Sequence, residues 1–287
     1  MSTSIPIRWI AARRATTVLR TFWIGLAFWA ALSGAAANAA PERIVSLSLC
    51  TDQLLLTLAP RERITALTYL ATRPDLSTLW QEAHGIPQVR GSAEEVLSLQ
   101  PDLVLAGTFG ARPTVRLLRQ FGIPILTLPP AEDFASVREQ IRQVAEAIGE
   151  PGRGAVALAA LDQDLAQLAI TPPRTGAFYR QSGYTSGSGT LADAIMQAAS
   201  MANVAVAAGV RGSGYLPLER LLIERPDWLI TSDYKRDVPT LGNRLLSHPA
   251  LRGAAGGEFV LPGHLTSCGG GWNVRATRLL AALPPVR

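Results

Sequence analysis

The sequence is poor in the residues that most often carry chemistry on their own. Lysine occurs once, as Lys235, cysteine twice, as Cys50 and Cys268, and histidine three times, as His84, His248 and His264. No two histidines stand at the His-x-x-x-His spacing that holds a zinc ion on one helix face. No Gly-x-Ser-x-Gly motif follows a strand, and the Gly/Ser run Ser186-Gly187-Ser188-Gly189 lacks the strand-turn-helix setting that exposes a nucleophilic serine. The Gly-Lys-Ser/Thr of a nucleotide-binding loop is also missing. These absences argue against a zinc peptidase, a nucleophile-elbow hydrolase and a P-loop nucleotidase. Two cysteines are too few for a disulfide scaffold, or for a closed zinc site without other ligands.

Acidic residues are absent from the first 40 positions, which hold Arg8, Arg13, Arg14 and Arg20. That imbalance supplies most of the chain's formal charge of +5, because 23 basic and 22 acidic residues remain beyond it. The body of the protein is near neutral, so the charge argument for nucleic acid falls away. The Arg-bearing start leads into the apolar run Thr21 to Leu32 and then Ala37-Asn38-Ala39, a small-x-small cleavage pattern. The run is short for a membrane span, which needs about 20 apolar residues. Residues 1–39 read as a cleaved export signal, general secretory or, through Arg13-Arg14, twin-Arg, and the mature chain as a soluble exported protein.

With 48% hydrophobic residues, the remainder has material for sizeable cores. Residues 43–49 read as a strand, with Thr51 or Asp52 capping a helix over 53–59. Residues 64–68 and 125–128 read as strands, and 114–121 as a helix ended by Gly122. Phe134 to Ile148 is amphipathic, Gly149 to Gly152 breaks it, and a helix rich in Ala and Leu resumes over 155–169. Strands are expected again at 176–179 and 259–261, and helices at 191–200, 239–247 and 272–283. This alternation predicts mostly parallel sheets with helices on both faces.

One phrase occurs twice. Glu94 lies seven residues before Pro101-Asp102, and Glu219 lies seven residues before Pro226-Asp227. Each copy reads as a short helix, stopped by proline and turned into a buried strand, 103–106 and 228–231. Two copies 125 residues apart suggest two lobes built on a related plan. A glutamate in a first helical turn is also favoured by the helix dipole alone.

Ligands of open α/β sheets bind beyond the carboxyl ends of the strands. The loops at those places hold Cys50, Thr51, Tyr69, Arg73, Thr108, Phe109, Tyr179, Tyr184, Tyr234, His264, Cys268 and Trp272. Aromatics, an arginine and hydroxyls suit a bulky ligand with anionic groups. Cys50 and Cys268 have three readings at this point: small residues lining a cleft, a disulfide, or metal ligands. A bridge between lobes would restrain their opening, which counts against it. His264 and Cys268, four residues apart, leave a cleft enzyme with base and nucleophile as a rival reading.

The strand at 43–49 with its Cys50-Thr51-Asp52 helix start, the two Glu…Pro-Asp phrases and the bridging helix together resemble the substrate-binding proteins of ABC importers for iron–siderophore complexes, haem and cobalamin, the helical-hinge type. The resemblance covers essentially the whole mature chain. It implies two α/β lobes with mostly parallel central sheets flanked by helices, residues 40–150 and 172–287, joined by a single long helix over 151–171. It implies a periplasmic, monomeric carrier, not an enzyme, with no resident cofactor or metal and no nucleic-acid partner. In such proteins a glutamate on each lobe pairs with arginines of the two permease subunits, and the spacing puts Glu94 and Glu219 at those positions. An iron complex, siderophore or haem, is the first ligand expected. A corrinoid is second, because Gly107 stands where a cobalamin-binding relative carries an aromatic.

Overall fold

The computed structural model describes residues 40–233 and 240–286. The expected export signal, residues 1–39, and Tyr234 lie outside the described residues.

Five strands form the first sheet: β1 (Ile44–Ser46), β2 (Ile64–Thr68), β3 (Gln88–Val89), β4 (Leu103–Gly107) and β5 (Ile125–Leu128). Their order is β3-β2-β1-β4-β5, and every pairing is parallel. Helices α1 (Leu49–Leu58), α2 (Ala93–Ser98) and α3 (Arg112–Gln120) connect them. Val45, Val104 and Leu105 are fully buried, as continuous apolar strands covered on both faces should be. Helix α1 begins earlier than the sequence suggested. Ser48 is its cap, accepting from the Thr51 amide at 3.3 Å, while the Thr51 hydroxyl turns inward to Ser46 at 2.7 Å. Asp52 is then free to reach β2, where it accepts from the Thr68 amide and hydroxyl.

Helices α4 (Phe134–Ala147) and α5 (Pro151–Ala166) follow as an antiparallel pair. Gly149, at φ 72°, ends the first, and Pro151 opens the second, so α5 starts four residues before the expected position. The two helices approach closely at Gly154, where a Cβ would stand 2.5 Å from that of Ala145. The buried Arg63 guanidinium secures the join, donating to the Ile148 carbonyl and to Glu150 at 2.7 Å.

The second sheet starts with β6 (Arg174–Phe178). The Gly/Ser-rich segment that follows contains β7 (Tyr184–Ser186). Helix α6 (Leu191–Ala198), strand β8 (Met201–Asn203) and the single-turn helix α7 (Val204–Ala207) come next. Then β9 (Ser213–Tyr215) pairs antiparallel with β7. Helix α8 (Leu218–Glu224), β10 (Trp228–Ser232), α9 (Leu241–Leu246), β11 (Gly257–Leu261) and α10 (Trp272–Ala281) complete the described chain. The order β11-β10-β6-β8 is again wholly parallel.

The two sheets share a plan. In β2-β1-β4-β5 and in β8-β6-β10-β11, the opening strand of the half is paired with the strand that follows the Glu…Pro-Asp phrase. One continuous apolar core runs from Ile44 and Leu55, through Val144 on α4 and Leu161 on α5, to Ile195 and Leu280. The joint between the sheets is therefore packed hydrocarbon, which resists large relative motion.

Candidate functional site

The carboxyl ends of both sheets border one cleft of about 660 Å³. Its two walls differ in chemistry. Leu49, Leu70, Leu76, Pro130 and Ala131, from the loops and helix starts of the first sheet, form an apolar wall with Glu132 at its exposed rim. Arg180, Gln181, Ser186, Thr190, Ser213 and Ser232, from the second sheet and the two-stranded β7–β9 pair, form a polar one. Gln140, nearly buried, holds the Pro129–Ala131 turn by donating to the Pro129 carbonyl at 2.7 Å. A smaller cavity of about 270 Å³ adjoins the cleft through Pro130, Ala131, Leu191, Thr266 and Ser267, and its wall includes Thr51, Thr108 and Phe109.

Cys50 and Cys268 are joined, with sulfurs 2.08 Å and Cα atoms 5.1 Å apart. The readings as free lining residues or as metal ligands, and the objection to a bridge, are corrected. The start of α1 and the loop before α10 meet across the cleft, so the bridge forms part of the smaller cavity's wall. The rival enzyme loses its nucleophile, since Cys268 carries no thiol. Sequence reasoning passed over Asn273, which is fully buried and shapes this loop. Its amide donates to the Leu265 and Cys268 carbonyls and its oxygen accepts from the Gly270 amide.

The other expected site residues divide. Thr51, Thr108 and Phe109 reach the smaller cavity, and Phe109 is 65% exposed with the Arg112 guanidinium 5.5 Å from its ring centre. Tyr69 is half exposed beside Leu70 of the apolar wall. Arg73 makes a two-pronged pair with Asp75, at 2.8 and 2.9 Å. Tyr184 packs edge to face with Tyr215, ring centres 5.6 Å apart, two residues from Ser186 and Ser213 of the polar wall. His264 offers its carbonyl to Thr78 from across the cleft, and burial holds its imidazole below the usual value. Two expectations are corrected. Tyr179 is fully buried in the core on the far face of the second sheet, because side chains alternate along a strand and its neighbour Phe178 takes the face of the main core. Trp272 packs against the main core and donates to the Cys268 carbonyl at 2.9 Å, so it braces the loop.

Asp52, two residues after Cys50, is fully buried. Burial pushes its carboxyl up to about 7, against the opposing pull of hydrogen bonds from Ser46 and Thr68. Arg180 is also largely desolvated, and burial draws its pKa downward. Most of the polar wall escaped notice in the sequence. The available signal was position, since 180–190 and 129–131 both follow strand ends. Among the described residues no group of three or more His, Cys, Asp and Glu side chains gathers to hold a metal.

Glu94 and Glu219 occupy the same helical place, two residues after the cap in α2 and α8. Both are exposed, and neither makes a hydrogen bond or ion pair among the described residues. Glu95, by contrast, is used locally, accepting from the Arg90 and Gly91 amides at 2.8 and 3.1 Å.

Known proteins with this architecture are numerous. A "Cobalamin-binding protein" of Halobacterium salinarum is 26% identical over 198 residues, 67% of this chain and 54% of that protein. The chain thus spans about half the length of the curated relatives it matches. The periplasmic heme-binding protein RhuT from Roseiflexus sp. RS-1 in apo form superposes with a TM-score of 0.64 at 24% identity, covering 84% of this chain and 95% of that one. The periplasmic vitamin B12 binding protein BtuF of Vibrio cholerae gives 0.64 at 17% identity, covering 84% and 96%. These likenesses show the two-lobed fold. Residues 44–255 match the model of a family described as periplasmic binding protein, and the chain belongs to that family.

Proposed function

We propose that this protein is the substrate-binding component of an ABC importer, which captures a metal chelate in its cleft and delivers it to a permease. The observation that carries this reading is the cleft bounded by the carboxyl ends of both parallel sheets. Its volume lies within the roughly 300–1,000 Å³ of small-molecule sites. One apolar and one polar wall suit a large ring with polar arms. The lobes are residues 40–150 and 172–287, the linking helix lies within 151–171, and residues 1–39 direct export to the periplasm.

Haem or an iron–siderophore complex is the first ligand. Structural neighbours named as heme-binding support haem, and the relative named as cobalamin-binding supports a corrinoid as the second. The protein acts as a monomer, without catalysis, and Glu94 and Glu219 engage arginines of the two permease subunits. Paired carboxylates on a pseudo-symmetric carrier match the paired pockets of a two-fold partner. Titration of the purified protein with haem, cyanocobalamin and ferric siderophores, followed by absorption spectroscopy, tests the reading. Saturable binding of one of them without turnover is expected, and failure of all three to bind at micromolar concentration overturns it.

A further inference from the structure

Arg180 stands two residues beyond β6, where the polar wall begins. Its backbone is fixed on both sides: the amide donates to the Tyr184 carbonyl at 2.9 Å, and its carbonyl accepts from Gly183 at 3.0 Å. The turn is tight. Gly183 has φ 77°, and a Cβ there would lie 2.9 Å from the Leu216 carbonyl oxygen. The guanidinium is held 5.5 Å from the centre of the buried Phe178 ring, a cation–π contact that fixes its direction without using its donors. From that position it lines the cleft.

What this cation lacks distinguishes it from the other shielded arginines of the fold. Arg63 meets Glu150 and the carbonyls of Pro41 and Ile148. Arg174 donates to the carbonyls of Ala281 and Leu283. Arg180 makes no ion pair and no side-chain hydrogen bond among the described residues. Glu132, the acid on the facing rim, is exposed and not paired with it. A guanidinium stays charged under all ordinary conditions. Desolvating a charge is costly unless a counter-charge meets it. A fixed, shielded cation facing an open cleft is therefore built for an anion that arrives with the ligand.

We infer that Arg180 is the anion-recognition residue of the cleft: the ligand carries a carboxylate or phosphate that pairs with its guanidinium, while its apolar body lies against Leu49, Leu70, Leu76 and Pro130. The inference rests on the carrier reading above and adds to it the ligand's charge and its orientation. Planar, two-pronged donors suit carboxylate and phosphate equally. Haem would supply a carboxylate, and cobalamin the phosphate of its nucleotide arm.

The test compares wild type, R180Q and R180K, each checked for an unchanged circular dichroism spectrum. Each protein is titrated with haem and haem dimethyl ester, and with cobalamin and cobinamide, which lacks that phosphate. For whichever pair the wild type binds, R180Q is expected to weaken binding of the anionic member at least tenfold. It should leave the analogue without the anionic group within about twofold, with R180K intermediate. Equal losses for both members of the pair, or no loss for the anionic one, overturn the inference. Citrate separates this inference from the carrier reading. It should raise the melting temperature of the wild type more than that of R180Q even if no tetrapyrrole binds. An equal effect on both proteins, or no effect on the wild type, overturns the anion site.

Discussion

Gln100 and Arg225 share a backbone conformation that non-glycine residues rarely adopt, at φ 46° and 45°, and each stands directly before the proline of its Glu…Pro-Asp phrase. The chain leaves α2 and α8 by the same left-handed step. It then presents Asp102 and Asp227 to the opening strand of each sheet. Asp102 accepts from the amides of Glu42 and Arg43 at 2.7 and 3.0 Å, and Asp227 from the amide and hydroxyl of Thr175 at 2.7 and 2.9 Å. Each aspartate thus ties the start of β4 or β10 to the start of β1 or β6. Because helix, turn and strand are locked alike, the two glutamates at the helix starts are held alike.

The locking aspartates should matter for stability and little for the ligand. Asp227→Ala leaves two part-buried donors without their acceptor, a loss of about 1–3 kcal/mol, and Asp102→Ala, whose partners reach water, costs about 0.5–1.5 kcal/mol. At this size that corresponds to a fall in melting temperature of roughly 2–4 °C per kcal/mol. Thermal unfolding followed by circular dichroism checks it. Unchanged melting of both variants would mean that the aspartates do not hold the strands.

Glu94 and Glu219, proposed above as the docking pair, should show the opposite pattern. In Glu94→Ala combined with Glu219→Ala, uptake by cells should be lost while affinity for the ligand and the melting temperature stay as in wild type. Either single change should give an intermediate rate, since one contact point remains. Glu95→Ala should instead lower stability through its lost amide bonds. Normal transport by the double variant would remove the docking assignment.

Reduction of the Cys50–Cys268 bridge should destabilise the protein while leaving it folded. A crosslink closing so long a stretch contributes about 2–4 kcal/mol, chiefly by constraining the unfolded chain. Denaturant unfolding of Cys50→Ser with Cys268→Ser, against the oxidised wild type, measures this. Because the bridge also spans the cleft, ligand dissociation should be faster in the variant, which stopped-flow displacement would record. An unchanged unfolding midpoint would show that the bridge does not hold the lobes.

Asp52 should give the protein an acid-side stability dependence. Its folded carboxyl is raised by burial to about 7 from an ordinary 3.8. Between those values the folded state keeps a proton that the unfolded chain has lost. Stability therefore falls as pH rises through the window and levels off above it. His264, lowered by burial, contributes in the other sense, losing stability as pH falls below its unfolded value of 6.5. The difference between wild type and Asp52→Asn isolates the carboxyl. The variant should gain on the wild type by a few kcal/mol between pH 4 and 7. Parallel pH profiles of the two proteins would contradict the assignment.

Local rules carried the fold far. Apolar runs located the main strands and helices to within a few residues, and the repeated proline phrase disclosed the two related halves. Helix starts were less legible, because caps compete locally: Ser48 and Thr51 are both good caps, and the choice turned on Thr51 being drawn inward by Ser46. Strand-end position drew attention to the carboxyl edges. It could not say which side chains face inward, so Tyr179 and Trp272 entered the expected site while Arg180 and the apolar wall did not.

The sequence by itself determined the order of strands and helices, the near-neutral body and the paired Glu…Pro-Asp phrases, since these depend on periodicity, composition and nearby residues. Tertiary structure decided what depends on segments far apart in the chain. It joined Cys50 to Cys268 across 218 residues, set an apolar wall against a polar one, and left Arg180 shielded with no ion-pair partner among the described residues. Those are properties of solvent exclusion and of the space between loops, and no local pattern of residues encodes them.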